Sequence, residues 1–192
     1  LFVFGDRIVT WTAHRHTPVM VDAFRDMKGL IEGCPELASR VAVFHESYGL
    51  EEIVTLDGAV MRFLARSGQS GQGMSGDLVV MDEAFAATPA QIASLMPTLS
   101  ARPNPQLLYG SSAAHATSEV LHSVMERGRA GNDPDLAYVE WSAERGECRA
   151  TRCAHQVGTQ GCLLDDEARW LQANPAVVRG RMQASTKGRS RR

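Results

Sequence analysis

The sequence predicts an α/β domain, a mainly parallel β-sheet flanked by helices. Short apolar runs of strand length alternate along the chain with stretches whose apolar residues recur at helical spacing. One of the runs, Leu78-Val79-Val80-Met81, is apolar without a break, as suits a central parallel strand buried on both faces. Strand–helix–strand order also implies right-handed crossovers and a site at the carboxyl ends of the strands.

The elements follow in order. Arg7 to Thr12 reads as a short buried strand. Thr17-Pro18 looks like an N-cap with proline at the first helical position. Met20, Ala23, Phe24, Met27, Leu30 and Ile31 then keep helical spacing up to a stop at Gly33. The methionines in this stretch read as core packing rather than a binding groove. Val41 to Phe44 is a strand. Ile53 to Leu56, then Asp57-Gly58, then Ala59 to Leu64 predicts a hairpin, because Asp-Gly favours the tight turns that join antiparallel strands.

Arg66 to Gly76 is a glycine-rich loop that leads into Leu78–Met81 and then Asp82-Glu83. Thr88-Pro89 opens a helix, with Gln91 placed to complete a capping box. Gln106 to Tyr109 is the next strand and ends at Gly110-Ser111-Ser112. Val120, Leu121, Val124 and Met125 mark a helix expected to stop near Gly128, and Tyr138 to Trp141 reads as a last short strand. Trp11 and Trp141 are expected in the core. Residues 1–143 are read as one domain. Residues 144–192 are read as irregular, with a helical turn at Glu167 to Gln172 and a basic tail, Ser185 to Arg192.

Bulk properties narrow the function classes. A chain of 192 residues holds one ordinary domain with a real core. With 20 basic and 22 acidic residues, the net charge of -2 gives no overall argument for nucleic-acid binding. No stretch approaches the roughly 20 apolar residues of a membrane span. Four cysteines are too few for a secreted disulfide scaffold, and a reducing, cytoplasmic setting is the expectation. The apolar start, Leu1 to Phe4, has no basic flank of a signal peptide and reads as the cut end of a longer chain.

An apolar strand that ends in Asp-Glu has the shape of the Walker B element of nucleotide hydrolases. A magnesium ion on the outer phosphates of ATP wants a hard carboxylate nearby, the part that falls to Asp82. Attack of water on the terminal phosphate wants a second carboxylate to orient and deprotonate it, the part that falls to Glu83. The plainer reading is an acidic strand end at the surface. Gly71 to Gly76 has the glycine spacing of a phosphate-binding loop, but Asp77 and Leu78 stand where Lys and Ser or Thr are needed. The only lysines are Lys28 and Lys187, neither in a glycine loop, so the lysine-bearing loop is absent from these 192 residues.

Three runs together resemble the large terminase subunit of tailed phages, the DNA-packaging ATPase, of the kind found in actinobacterial hosts and prophages. These are Trp11 to His14 (WTAH), Phe63 to Phe85 (FLARSGQSGQGMSGDLVVMDEAF) and Pro97 to Ala113 (PTLSARPNPQLLYGSSA). Tyr138 to Ala143 and Gln172 to Ala176 fit the family's later linker, so the likeness covers most of Leu1 to Ala176. It implies a P-loop NTPase-like sheet of RecA type that is incomplete at the N-terminus. It implies ATP and Mg2+ as cofactors, with Asp82 holding the metal and Glu83 as base. Gly110, Ser111 and Ser112 fall on the motif that couples hydrolysis to DNA movement. Arg66 resembles an arginine that stabilises charge on the transferred phosphoryl, in its own or a neighbouring subunit. A second arginine expected near Gln72 is glutamine here. The implied partners are double-stranded viral DNA, the small terminase subunit, the portal ring and a homo-oligomeric ring of copies, with no membrane. The family's nuclease domain has no counterpart here, and Asp165-Asp166-Glu167 read as a solvated helix start. A helicase-like motor fragment and a non-catalytic remnant are the competing readings.

Two smaller groups complete the candidates. Cys148, Cys153, His155 and Cys162 supply donors for a zinc site of three cysteines and one histidine, at a spacing that matches no standard knuckle. The plainer reading is ordinary loop cysteines. His14, His16 and His45 are candidates for polar contacts near the site, His14 chiefly through local hydrogen bonding at a strand end.

Overall fold

The computed structural model describes residues 1–3, 5–66, 76–142, 148–149, 153, 161–163 and 166–173, with the backbone alone at 16, 98, 167, 170 and 173. Residues 67–75 of the glycine-rich loop, His155 and the basic tail lie outside them, as do Lys187 and Gln72. Two compact units divide the chain, Leu1–Arg127 and Gly128–Arg192.

The first unit is built on a six-stranded sheet. Its strands are β1 (Ile8–Ala13), β2 (Val41–His45), β3 (Glu52–Thr55), β4 (Val60–Ala65), β5 (Leu78–Met81) and β6 (Gln106–Tyr109). The spatial order is β2-β3-β4-β1-β5-β6. The pairs β4–β1, β1–β5 and β5–β6 are parallel. The pairs β2–β3 and β3–β4 are antiparallel, so the sheet is mainly parallel with an antiparallel flank. The β3–β4 hairpin turns at Asp57-Gly58 as its sequence predicts. Gly58 has φ +80°, a conformation open to glycine at little cost.

Helices α1 (Val21–Glu32), α2 (Pro35–Ala38), α3 (Pro89–Ser100) and α4 (Glu119–Ala130) complete the regular structure through the unit boundary, and α5 (Glu167–Ala173) lies in the second unit. Register places Val9, Trp11, Leu78 and Val80 on one face of the sheet, and Thr10, Thr12, Val79 and Met81 on the other. On the first face Val9, Ala13, Ile53, Met61 and Phe63 pack against Met20, Phe24 and Ile31. Phe63 is fully buried between Trp11, stacked at 6.3 Å, and Phe24, edge-on at 5.4 Å. On the second face Val79 and Met81 pack against Leu95 and Leu99 of α3. Each fully buried side chain of this size contributes about 1.5–3 kcal/mol. Two helices on opposite faces therefore hold β1 and β5 rigidly from both sides.

Most predicted elements form where expected, and the Thr88 capping box is complete: Gln91 N–H donates to Thr88 Oγ1, and Thr88 N–H to Gln91 Oε1. Three expectations need correction. Thr17 does not cap a helix at Pro18. Its backbone is extended (φ -107°, ψ 131°), as the following proline favours, and α1 begins only at Val21 after a kinked segment over His16–Met20. The helix α4 does not stop at Gly128 but runs to Ala130, and Gly131 (φ +65°) follows it. Gly128 serves instead as a contact, since a Cβ there would lie 2.2 Å from Cγ of Tyr138. Tyr138 to Trp141 forms no strand, and Trp141 is 65% exposed rather than in the core. Among the described residues no helix is long and apolar enough to cross a membrane.

Candidate functional site

The site forms where β1, β5 and β6 end. Parallel strands deliver their carboxyl ends to one edge, and short connections there gather residues far apart in sequence. Asp82 follows β5 directly, and its N–H donates to the Thr12 carbonyl of β1 (2.8 Å). On the other side Gly110 N–H donates to the Met81 carbonyl (3.0 Å), and Ala84 N–H donates to the Gly110 carbonyl (3.0 Å). The Asp82-Glu83 pair is thereby clasped between the ends of its two neighbouring strands.

The two carboxylates are held differently. Asp82 Oδ1 accepts the N–H of Glu83 (2.8 Å), and Oδ2 accepts the indole N–H of Trp11 (3.4 Å). A Cβ at position 110 would lie 3.9 Å from Asp82 Oδ1, so glycine keeps the space over that oxygen open. Glu83 Oε2 is in short hydrogen-bonded contact with His14 Nδ1. An ionised carboxylate only accepts, so the proton of that contact belongs to His14. Both side chains remain a little over one quarter exposed, at 28% and 27%.

Glu83 also carries an unusual backbone. Its φ of 51° and ψ of 47° are left-handed, and it is the one non-glycine residue with positive φ among the described residues. Such a conformation costs of order 1–3 kcal/mol and persists where surroundings impose it. Arg66 is part of what imposes it. This arginine is 4% exposed. Its Nη1 donates to the Thr12 carbonyl (2.8 Å) and hydroxyl (3.1 Å), and Nη2 donates to the Glu83 carbonyl (3.1 Å). Burial pulls the guanidinium below its ordinary pKa, while the charges of Glu83 and Asp82 oppose that shift. The Nε atom is buried with no hydrogen-bond partner among the described residues.

The turn after β6 is tied to the segment after Glu83. Phe85 N–H donates to Ser111 Oγ (3.0 Å), and the Phe85 carbonyl accepts from Ser118 Oγ (2.6 Å). The Phe85 ring lies between two imidazoles, 5.8 Å from His14 and 4.9 Å from His115. Ser112 is exposed.

The structure thus brings together Asp82, Glu83, Arg66, Gly110 and Ser111, five residues singled out from the sequence. It adds His14 as the partner of Glu83 rather than of a local turn. Trp11 and Ser118 were not foreseen in the site. Their signals, an indole on the face of β1 and a serine just before α4, look like ordinary packing and capping. His45 is exposed on β2, at the opposite edge of the sheet from β6. The His16 side chain falls outside the described ones. Asp77, where a phosphate loop would need lysine, holds the other end of β5, its carboxylate accepting the N–H groups of Arg7 (2.8 Å) and Ile8 (2.9 Å). Lys28 is engaged with Glu46 at 2.6 Å and Glu32 at 3.7 Å.

A six-stranded, mainly parallel sheet between helices, with its acidic pair at the strand ends, has the fold of a bacteriophage large terminase. A solved structure that shows this is the large terminase of bacteriophage HK97, matched with a TM-score of 0.72 over 96% of this chain at 17% identity. The chain corresponds to 35% of the length of that protein. At this identity the likeness establishes the fold alone. No family model and no curated protein matches the sequence.

Proposed function

We propose that the first unit is part of an ATP-hydrolysing motor of the phage DNA-packaging type and contributes its metal and water-activating carboxylates. The observation that carries this is the placement of Asp82 and Glu83 at the carboxyl end of β5, beside the Gly110–Ser111 turn. The donor set fits a magnesium–nucleotide complex. Asp82 offers a hard oxygen donor beneath a glycine that leaves room above it, and Asp82 would hold the Mg2+. When bound, the ion neutralises charge on the outer phosphates of ATP.

The remaining parts follow from the contacts. Glu83 is the base that orients and deprotonates water, and the His14 N–H aims its carboxylate. Arg66 acts here as a positioning residue, because three of its five N–H donors go to Thr12 and to the Glu83 carbonyl. Its charge beside Asp82 and Glu83 is what it contributes to phosphoryl electrostatics. Ser111 links the end of β6 to Phe85 and Gly110 links it to Ala84, so movement at Glu83 passes to β6 through these hydrogen bonds. In this reading double-stranded DNA, the small terminase subunit, the portal and further copies of the motor are the partners.

The lysine-bearing phosphate loop is not among these 192 residues, so the chain supplies only half of a nucleotide site. The expected result is no measurable ATP turnover, in the native chain or in Glu83→Gln, and ATP affinity weaker than millimolar. A submillimolar ATP affinity by calorimetry contradicts the half-site. The positive test uses Mn2+ with ATP at high concentration. Paramagnetic broadening is expected at the amides of residues 82–84 and 110–111, and Asp82→Asn is expected to remove it. Broadening that is absent, or identical in the variant, overturns the assignment.

A further inference from the structure

Three of the four cysteines meet in the second unit. The sulfur atoms of Cys148, Cys153 and Cys162 all lie within 4.8 Å of one another, although the outer two are fourteen positions apart in sequence. Cys162 is buried, and Cys148 and Cys153 are partly so. We propose that these three thiols, as thiolates, bind one zinc ion that organises the second unit, a role separate from the nucleotide chemistry of the first.

The local backbone is arranged for this. Arg149 N–H donates to the Gly161 carbonyl (2.9 Å), which draws the segment after Cys148 against the segment before Cys162. Gly161 has φ +78°, a left-handed turn that delivers Cys162 to the cluster and that favours glycine. Leu163 N–H donates to Cys148 Sγ (3.5 Å). Backbone N–H groups directed at sulfur are the outer support that orients ligands and spreads the charge of a metal-bound thiolate. The distances suit the ion. Zinc–sulfur bonds of about 2.3 Å at tetrahedral angles place sulfurs ~3.8 Å apart, at most about 1 Å inside the limit within which the three lie.

The composition of the unit supplies the reason. Its described residues offer few buried apolar side chains, Cys162 being the one below a tenth exposed. A segment with few buried apolar side chains is the setting in which a structural metal contributes folding free energy directly. Soft thiolates select zinc over magnesium or calcium. Binding displaces one proton from each thiol, Zn2+ taking three thiolates and releasing three protons. The fourth position of a closed tetrahedral site goes to another donor. The sequence places His155 two residues after Cys153, outside the described residues.

The test is the metal content of the full chain, purified under reducing conditions and dialysed against excess zinc and then against buffer. One zinc per chain by mass spectrometry is expected, retained by Cys34→Ser, whose thiol belongs to the first unit and donates to Glu36. Cys148→Ser, Cys153→Ser and Cys162→Ser are each expected to lose it. Since these variants can fail to fold, a second measurement uses the native chain. Cobalt(II) titrated into the zinc-free chain should give thiolate-to-metal charge-transfer absorption and tetrahedral visible bands that saturate at one equivalent and vanish on adding zinc. Zinc that is absent, or retained equally when all three cysteines are serine, overturns the proposal. So does an octahedral cobalt spectrum without the charge-transfer band, or a disulfide within the trio in the reduced preparation.

Discussion

The two ends of β5 both carry carboxylates, and the protein uses them in opposite ways. At the amino end Asp77 is absorbed into the fold. Its carboxylate accepts two backbone N–H groups at the start of β1, Arg102 lies 3.7 Å away, and its own N–H and carbonyl join β1 and β6. At the carboxyl end each carboxylate has fewer partners among the described residues, Asp82 the Glu83 N–H and the Trp11 indole, and Glu83 His14 alone. There the backbone bears the cost, with Glu83 held left-handed. A carboxylate satisfied by backbone donors stabilises a fold, whereas one kept available over a strained backbone suits binding and chemistry.

Removal of the clasp beneath the carboxyl end should have the largest effect. Arg66→Met leaves the carbonyls of Thr12 and Glu83 and the hydroxyl of Thr12 short of a charged donor in a buried place. A loss of about 2–4 kcal/mol is expected in urea unfolding. A loss below about 1 kcal/mol would mean that Glu83 keeps its backbone without Arg66, and the contrast between the two ends would lose its cause. Next in size is Asp77→Ala, which strips two charge-assisted bonds from the edge of β1. About 2–3 kcal/mol is expected, with Asp77→Asn in between, since its amide oxygen still accepts.

Glu83 itself should behave in the reverse sense. Glu83→Gln keeps the shape and is expected to stay within about 0.5 kcal/mol of the native chain, because a partly exposed contact such as that with His14 contributes little. Glu83→Gly removes the same contact but also the left-handed penalty, and a net gain of up to about 1 kcal/mol is expected. If Glu83→Gly destabilises by more than Asp77→Asn, the acidic pair is structural and the contrast fails.

Part of this was readable in the residues. Leu78–Met81 followed by two acids, the Thr88 box and the Asp57-Gly58 turn are local patterns whose physical reasons lie within a few positions. They form where those reasons place them. The contacts that give the site its character are not local. Arg66 reaches Thr12 across 54 positions, and His14 reaches Glu83 across 69, because the parallel register of β1 with β4 and β5 brings three chain ends level. No spacing rule encodes such a meeting. The errors have the same origin. Tyr138 to Trp141 has the residue types of a strand, but a strand needs a partner, and Gly128 has the look of a helix stop while its missing Cβ serves Tyr138. The clustering of Cys148 with Cys162 likewise depends on a backbone pairing that the irregular cysteine spacing conceals.

A fourth carboxylate, in the second unit, extends the comparison to its smallest expected effect. Glu140 receives Nε and Nη2 of Arg129 (2.9 and 2.6 Å) and the hydroxyl of Tyr138 (2.7 Å). Hydrogen bonds from Arg129 first, then from Ser142 and Tyr138, push its pKa from 4.5 down to about 2. Because the folded value lies below the unfolded one, the stabilisation is complete above about pH 4.5 and is lost as pH falls through about 2. Exposure to solvent screens the ion pair, so the effect on unfolding should be small, and smaller still in high salt. NMR titration of the Glu140 carboxyl carbon checks the shift directly, and Arg129→Gln should return it toward 4.5. A native midpoint already near 4.5 would show that the Arg129 pair does not persist in solution, and Glu140 would then belong with the available carboxylates rather than with Asp77.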